Sequence, residues 1–198
     1  MAPAEGSEEA GLLLEGIPQS ANALGSAAAP VTLQYFGDLQ CPFCRDFTLE
    51  LLPSIIQRWV RAGDLRIEYH ALETATGEPE VFVAQHVAAL AAGKQDKAWY
   101  FIETFYREQG EEGSGYVTDT FLEGIAGEIP DLNLSQWSSD RADPKLANEI
   151  AADEQAAISA GLNGTPSFLI GRSGGAMTAF SPTDLASFDA AIERLRDT

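Results

Sequence analysis

Cys41-Pro42-Phe43-Cys44 holds the only two cysteines in a chain of 198 residues. Two thiols at this spacing can exchange between dithiol and disulfide, with the first as the reactive sulfur. Other uses of the pair fit less well. A structural zinc site takes four cysteine or histidine ligands, and the only histidines, His70 and His86, form no second ligand pair. A staple across so short a loop would remove little entropy from the unfolded chain. A soft-metal thiolate site, for example for Cu(I), is chemically open on ligand type. Redox cycling is favoured, with no metal and no cofactor expected.

The flanking sequence supplies a setting for that chemistry. Val31-Thr32-Leu33-Gln34-Tyr35-Phe36 has the β-branched and aromatic content of a buried strand, and Gly37-Asp38 breaks it. An amphipathic helix begins at the first cysteine. Cys41 is therefore expected at a helix N-terminus, where unpaired backbone N–H groups and the helix dipole favour a thiolate. Pro42 has no N–H to contribute, and Phe43 offers no charge or ring donor, so these two residues tune the balance.

Gly164-Thr165-Pro166-Ser167-Phe168-Leu169-Ile170-Gly171 opens a second apolar strand on a proline. Alone it reads as an edge or first position of a strand, because proline cannot donate to the ladder. Together with Cys-Pro-Phe-Cys upstream, it resembles the thioredoxin superfamily and, within it, the DsbA-like thiol–disulfide oxidoreductases. The resemblance implies that Pro166 is cis and abuts the cysteines, and that Thr165 presents its backbone to an extended substrate segment, as an added strand would pair. It implies further that several relatives carry a buried glutamate six residues before the first cysteine. Tyr35 stands there in this chain. Asp38 and Glu68 are the candidates for a substitute in proton transfer, Asp38 the closer in sequence, but each reads first as a turn or surface acid, and His70 and His86 read as core or surface histidines.

The remaining pattern fits an α/β chain, a thioredoxin fold with an inserted α-helical domain. Phe43, Phe47, Leu51, Ile55 and Trp59 recur every four residues, a stripe for packing on a sheet, which Pro53 should kink or divide near 49–52. Leu65 to Leu72 alternates as a strand. Helical stretches follow around Val81 to Leu90, Trp99 to Tyr106, Thr118 to before Pro130, and Pro144 to Ile158. A hairpin is expected through Arg172 to Gly175 into Ala176 to Phe180. A last helix should open at Ser181-Pro182-Thr183-Asp184 and run through Leu195. The expected division is 30–77 and 162–198 as core, 78–161 as helical insertion, and 1–29 as an N-terminal extension. In that extension Met1 to Ala10 reads as a polar linker, and Leu12 to Gln19 adds an edge strand.

A formal charge of −18 argues against nucleic acid or anionic membrane surfaces as direct partners. No apolar run approaches 18 residues. The first Lys or Arg is Arg45, so residues 1–44 carry no positively charged leader region and no secretory signal. The resemblance nevertheless implies an extracytoplasmic protein, in the periplasm or at the cell wall, whose signal or anchor is not part of this sequence. It also implies thiol-containing exported proteins as substrates and a quinone-linked membrane redox partner. In that scheme a substrate thiolate attacks Cys41, and the mixed disulfide is resolved with Cys41 leaving as a thiolate. A reductase or isomerase on the same fold is the alternative enzyme, and a soft-metal or partner-binding module is the non-enzyme alternative.

Overall fold

The structure is a computed structural model and describes residues 5–197. Among these residues six strands form one sheet, in the order β1 (Gln19–Ser20), β2 (Ala23–Leu24), β4, β3, β5, β6. β3 (Val31–Gly37) is central and buried on both faces. It runs parallel to β4 (Leu65–Ala71), with Tyr35 opposite Tyr69, and antiparallel to β5 (Ser167–Arg172), with Phe36 opposite Ser167. A parallel pair needs a crossover. Here it is the helix from Pro42 to Val60. β6 (Thr178–Phe180) closes the far edge against β5.

That crossover helix stays continuous past Pro53, where the sequence suggested a kink or a division. α2 (Pro42–Asp46) opens into a π-helical stretch at Phe47–Leu51, tightens at α3 (Leu52–Ile55) and widens again at Ile56–Val60. The Leu52 N–H reaches back to the Phe47 carbonyl. The wider turn thus takes up the register that a proline without an N–H would otherwise break. Phe47, Ile55 and Trp59 are buried, as the four-residue stripe requires, but Phe43 is 70% exposed. The first turn projects past the end of the sheet and takes Phe43 off the core.

Two apolar clusters cover the two faces. On one, Tyr35, Phe47 and Phe168 pack with Phe188 of α9 (Leu185–Arg196). On the other, Phe36, Leu72 and Leu169 meet Ala157 of α8 (Pro144–Ser159). Between β4 and β5 lie α4 (Pro79–Gly93), α5 (Ala98–Arg107), α6 (Asp119–Glu128), α7 (Leu134–Asp140) and α8. The indoles of this block are anchored at their polar ends. Trp99 Nε1 donates to the Asn22 carbonyl and Trp137 Nε1 to the Ala88 carbonyl, both at 2.9 Å.

Several expectations change. Glu5–Leu14 is a helix, α1, not a polar linker followed by a strand; residues 1–4 lie outside the described residues. Ala10 and Leu14 bury one side of α1, Arg107 pairs with Glu9, and Arg61 donates to the carbonyls of Leu13 and Glu15. The edge strands are instead the short β1 (Gln19–Ser20) and β2 (Ala23–Leu24). The sequence reading missed α7, a seven-residue helix whose sign is the cap from Asn133 to the Gln136 N–H at 3.0 Å. α9 begins three residues later than expected, because Asp184 is its N-cap and accepts from the Ser187 N–H at 2.9 Å.

Candidate functional site: a thiol pair facing a proline loop

β3 ends at Gly37, and the chain turns through Asp38-Leu39-Gln40 before α2 starts at Pro42. Gly37 permits a close approach. A Cβ there would lie 2.8 Å from the Tyr69 hydroxyl. The turn is closed by the Cys41 N–H on the Asp38 carbonyl at 2.9 Å, and Gln109 Nε2 ties down the Leu39 and Cys41 carbonyls. Cys41 is thereby the N-cap of α2, in extended conformation. Both sulfurs are thiols, with Cys41 4% exposed at the rim and Cys44 fully enclosed.

The other side of the site is the loop entering β5. The Thr165–Pro166 peptide is cis, and the Thr165 carbonyl accepts from Cys41 Sγ at 3.5 Å. The chain order thus brings together Cys41, Cys44, Thr165 and Pro166, with Pro42 at the first helical position and Phe43 outside. Beside Pro166 lies a groove of about 290 Å³, lined by Phe47, Leu51, Phe168, Phe180 and Phe188 among others.

The two thiols are pushed in opposite directions. The Cys41 sulfur receives the Cys44 S–H, which outweighs the cost of burial, and the Thr165 side chain and the N–H groups of Cys44 and Phe43 add to it. Its pKa falls to about 6. Pro42 contributes nothing, in keeping with its missing N–H. Burial drives Cys44 well above an ordinary thiol, and the neighbouring Cys41 raises it further. In the neutral range one sulfur is a thiolate and the other keeps its proton.

Three features escaped the sequence reading. Asp38, read there as a turn or surface acid, is fully buried, and its carboxylate accepts from Gln40, Thr74, Ala75, Thr76 and Gln85. Burial opposes its charge, but the His86 field and these donors hold its pKa below the usual carboxylate range. Second, the hydroxyls of Tyr35, Tyr69 and Tyr106 meet beneath the site. Tyr35 and Tyr106 are 3.4 Å apart, Tyr69 and Tyr106 3.1 Å, and the Tyr35 hydroxyl donates to the Cys44 carbonyl at 3.3 Å. Burial holds all three neutral. Third, Gln109 sits just before a glycine-rich loop, 110–115, and reaches back to the Leu39 and Cys41 carbonyls. The one available signal was the run of aromatics on α5 ending at Tyr106, three residues before it. Of the remaining candidates, Glu68 and His70 stand on β4 away from the sulfurs, where His70 binds Asp153 of α8 at 2.6 Å.

A thiolate at a strand-to-helix junction, paired with a buried thiol and faced by a proline loop, is the site of a thioredoxin-superfamily dithiol protein. A family profile described as "Thioredoxin" matches residues 19–194. The chain belongs to that family, and its form is DsbA-like. It is 25% identical over 149 residues to the probable disulfide bond formation protein D of Bacillus anthracis, covering 75% of this chain and 68% of the relative. Among solved structures, oxidised BdbD from Bacillus subtilis superposes with a TM-score of 0.76 at 19% identity, covering 91% of this chain and 97% of that one. Wolbachia pipientis alpha-DsbA1 gives 0.73, again at 19% identity, over 97% and 96% of the two chains. Among the described residues no helix is long and apolar enough to cross a membrane.

Proposed function

We propose that this chain oxidises thiols in exported proteins, using a Cys41–Cys44 disulfide as the group donated. The observation that carries the reading is the placement of the two sulfurs, Cys41 at the N-cap of α2 against the Thr165 carbonyl and Cys44 enclosed behind it, an asymmetry that pushes the Cys41 pKa down and the Cys44 pKa up. Stabilising the Cys41 thiolate favours the reduced enzyme and so makes its disulfide a better oxidant.

The chemistry then follows by sulfur. A substrate thiolate attacks Cys41 Sγ, the less enclosed of the pair. The Cys41–Cys44 bond breaks, a substrate–Cys41 disulfide forms, and Cys44 takes a proton because its pKa is high. A second substrate thiolate attacks the substrate's own sulfur in the mixed disulfide. Cys41 leaves as the stabilised thiolate, and the substrate departs with one new disulfide and two electrons fewer. Thr165 and Pro166 would hold the substrate as an extended segment, with an apolar side chain in the groove beside Pro166. Pro42 and Phe43 tune the couple, and the exposed Phe43 adds apolar contact surface. Reoxidation falls to a membrane redox partner, quinone-linked as in the family resembled, and the working compartment is extracytoplasmic.

Oxidative refolding of a reduced, unfolded protein tests this reading. Wild type should accelerate disulfide formation, and Cys41→Ser should abolish the acceleration. Equilibration with glutathione sets the direction. A potential near or above about −150 mV supports donation, whereas about −250 mV or lower moves the assignment to a reductase.

A further inference from the structure

Asp38 is chemically expensive and sits one residue beyond the strand. A buried carboxylate survives only where donors replace its hydration. Here Oδ2 accepts three successive backbone N–H groups, from Thr74 at 3.0 Å, Ala75 at 2.8 Å and Thr76 at 2.9 Å. Oδ1 accepts from the Gln40 N–H, the Thr76 hydroxyl at 2.6 Å and Gln85 Nε2. Consecutive amides converging on one anion make a rigid turn. The carboxylate therefore does more than close its own corner: it fixes a second loop, 74–76, that has no covalent neighbour in the site.

That loop is hydrogen-bonded to the site through a hydroxyl. Thr74 Oγ1 lies 2.5 Å from Thr165 Oγ1, although Thr74 itself is exposed. A hydroxyl has a single proton to give. If Thr165 gives its proton to Thr74, none faces the sulfur. If Thr74 donates to Thr165, the Thr165 proton is free for Cys41. The Thr165 carbonyl lies 3.5 Å from Cys41 Sγ, so this residue is held against the sulfur, and its side chain is among the groups that favour ionised Cys41.

We propose that Asp38 is a positioning residue for thiol exchange: through the 74–76 turn it places the Thr74 hydroxyl to orient Thr165 as a hydrogen-bond donor to the Cys41 sulfur. The chain of contacts runs from carboxylate to turn, from turn to Thr74, from Thr74 to Thr165, and from Thr165 to sulfur. Asp38 and the 74–76 turn stand behind Thr165 and act through it rather than on substrate. Their effect is on the reactivity of Cys41 before substrate arrives, so they act in either direction of electron flow.

The test is the pH profile of iodoacetamide alkylation of Cys41 in the reduced full chain. Thr74→Val keeps the shape and deletes the hydroxyl, and at an exposed position it does not threaten the fold. It should raise the alkylation midpoint by about half to one unit, so that alkylation at pH 5 slows by about three- to tenfold. Thr74→Ser should restore the wild-type midpoint. Asp38→Asn places an amide donor among N–H groups and should shift the midpoint the same way, and adding Thr74→Val to it should shift the midpoint no further. An unchanged midpoint in Thr74→Val overturns the proposal, as does an Asp38→Asn protein that loses thermal stability but keeps the wild-type midpoint. The inference rests on the functional reading only in taking Cys41 as the reactive sulfur. A chain that fails to oxidise substrate yet shows these shifts refutes disulfide donation and leaves the positioning role intact.

Discussion

Replacing Cys44 by alanine removes the S–H that contributes most to the ionisation of Cys41. In the reduced wild type the Cys41 pKa stands at about 6 against a free value of 9.0. At pH 7 about nine molecules in ten then carry the thiolate, where an unperturbed thiol would be ionised in about one in a hundred. Ionisation lowers the free energy of the reduced form by about 1.4 kcal/mol at that pH, an upper value because solvent at the rim screens part of it. For a two-electron couple this is about 30 mV in the oxidising direction. The pH slope changes with it. Below the Cys41 pKa, reduction takes up two protons and the potential falls by about 59 mV per pH unit; above it, one proton is taken up and the slope halves to about 30 mV. Thiolate absorbance near 240 nm should show one inflection at about 6 in wild type, because Cys44 titrates far higher. In Cys44→Ala it should move up by about one to two units. A wild-type titration with no inflection below pH 8, or a Cys44→Ala midpoint equal to wild type, would refute the assignment of thiolate stabilisation to the Cys44 thiol.

Two other ionisable groups predict how stability changes with pH. Burial pushes Glu103 on α5 up to about 7 despite the Arg107 guanidinium, and its Oε1 has no partner. The folded state therefore holds this proton more tightly than the unfolded chain does. Stability is lost as pH rises from about 4.5 to 7, by up to about 3 kcal/mol. Urea unfolding of Glu103→Gln at pH 5 and pH 8 should show that loss removed, and an unchanged pH dependence would sink the idea. Burial works against charge on His70, but Asp153 and Glu68 override it and hold the ring up to about 9. A raised histidine pKa stabilises fully below about 6.5 and ceases to do so as pH climbs through 9. His70→Gln should thus cost about 2 kcal/mol more at pH 6 than at pH 9.5, and equal losses at both would contradict the ion pair.

The parts of this protein that were legible from sequence are those set by local pattern. β3, the helix beginning at Cys41, β4 and the proline-led β5 each carry their signal in neighbouring residues, and the thiol pair lies where two such signals join. What stayed hidden depends on contacts between distant residues. Asp38 looks like any acid after a strand, because its donors sit on a loop nearly forty positions away. Tyr35, Tyr69 and Tyr106 are three ordinary core aromatics until register and crossover bring their hydroxyls together. The edge strands were misplaced for a different reason. Leu12, Leu13 and Leu14 look alike as strand or helix residues, and only the docking of α1 on α5 decides. Within the crossover helix, the proline signal was right in position and wrong in form, since a π-helical turn accommodates what a break would also have resolved.

The pairing of β3 with β5 has a consequence in time. Chains emerge from synthesis or export from the N-terminus onward, and domains fold as their segments arrive. Both cysteines appear within the first 44 residues, but β5, which presents Thr165 to them, is not complete until Arg172. About 120 residues separate the thiol pair from the loop that faces it, and while they are made the pair stands without that loop. Contacts of such long sequence separation form late. Until then the sulfurs have each other and the first turn of α2 but not the Thr165 loop, so they are open to other reagents before the surface that selects their partners is in place.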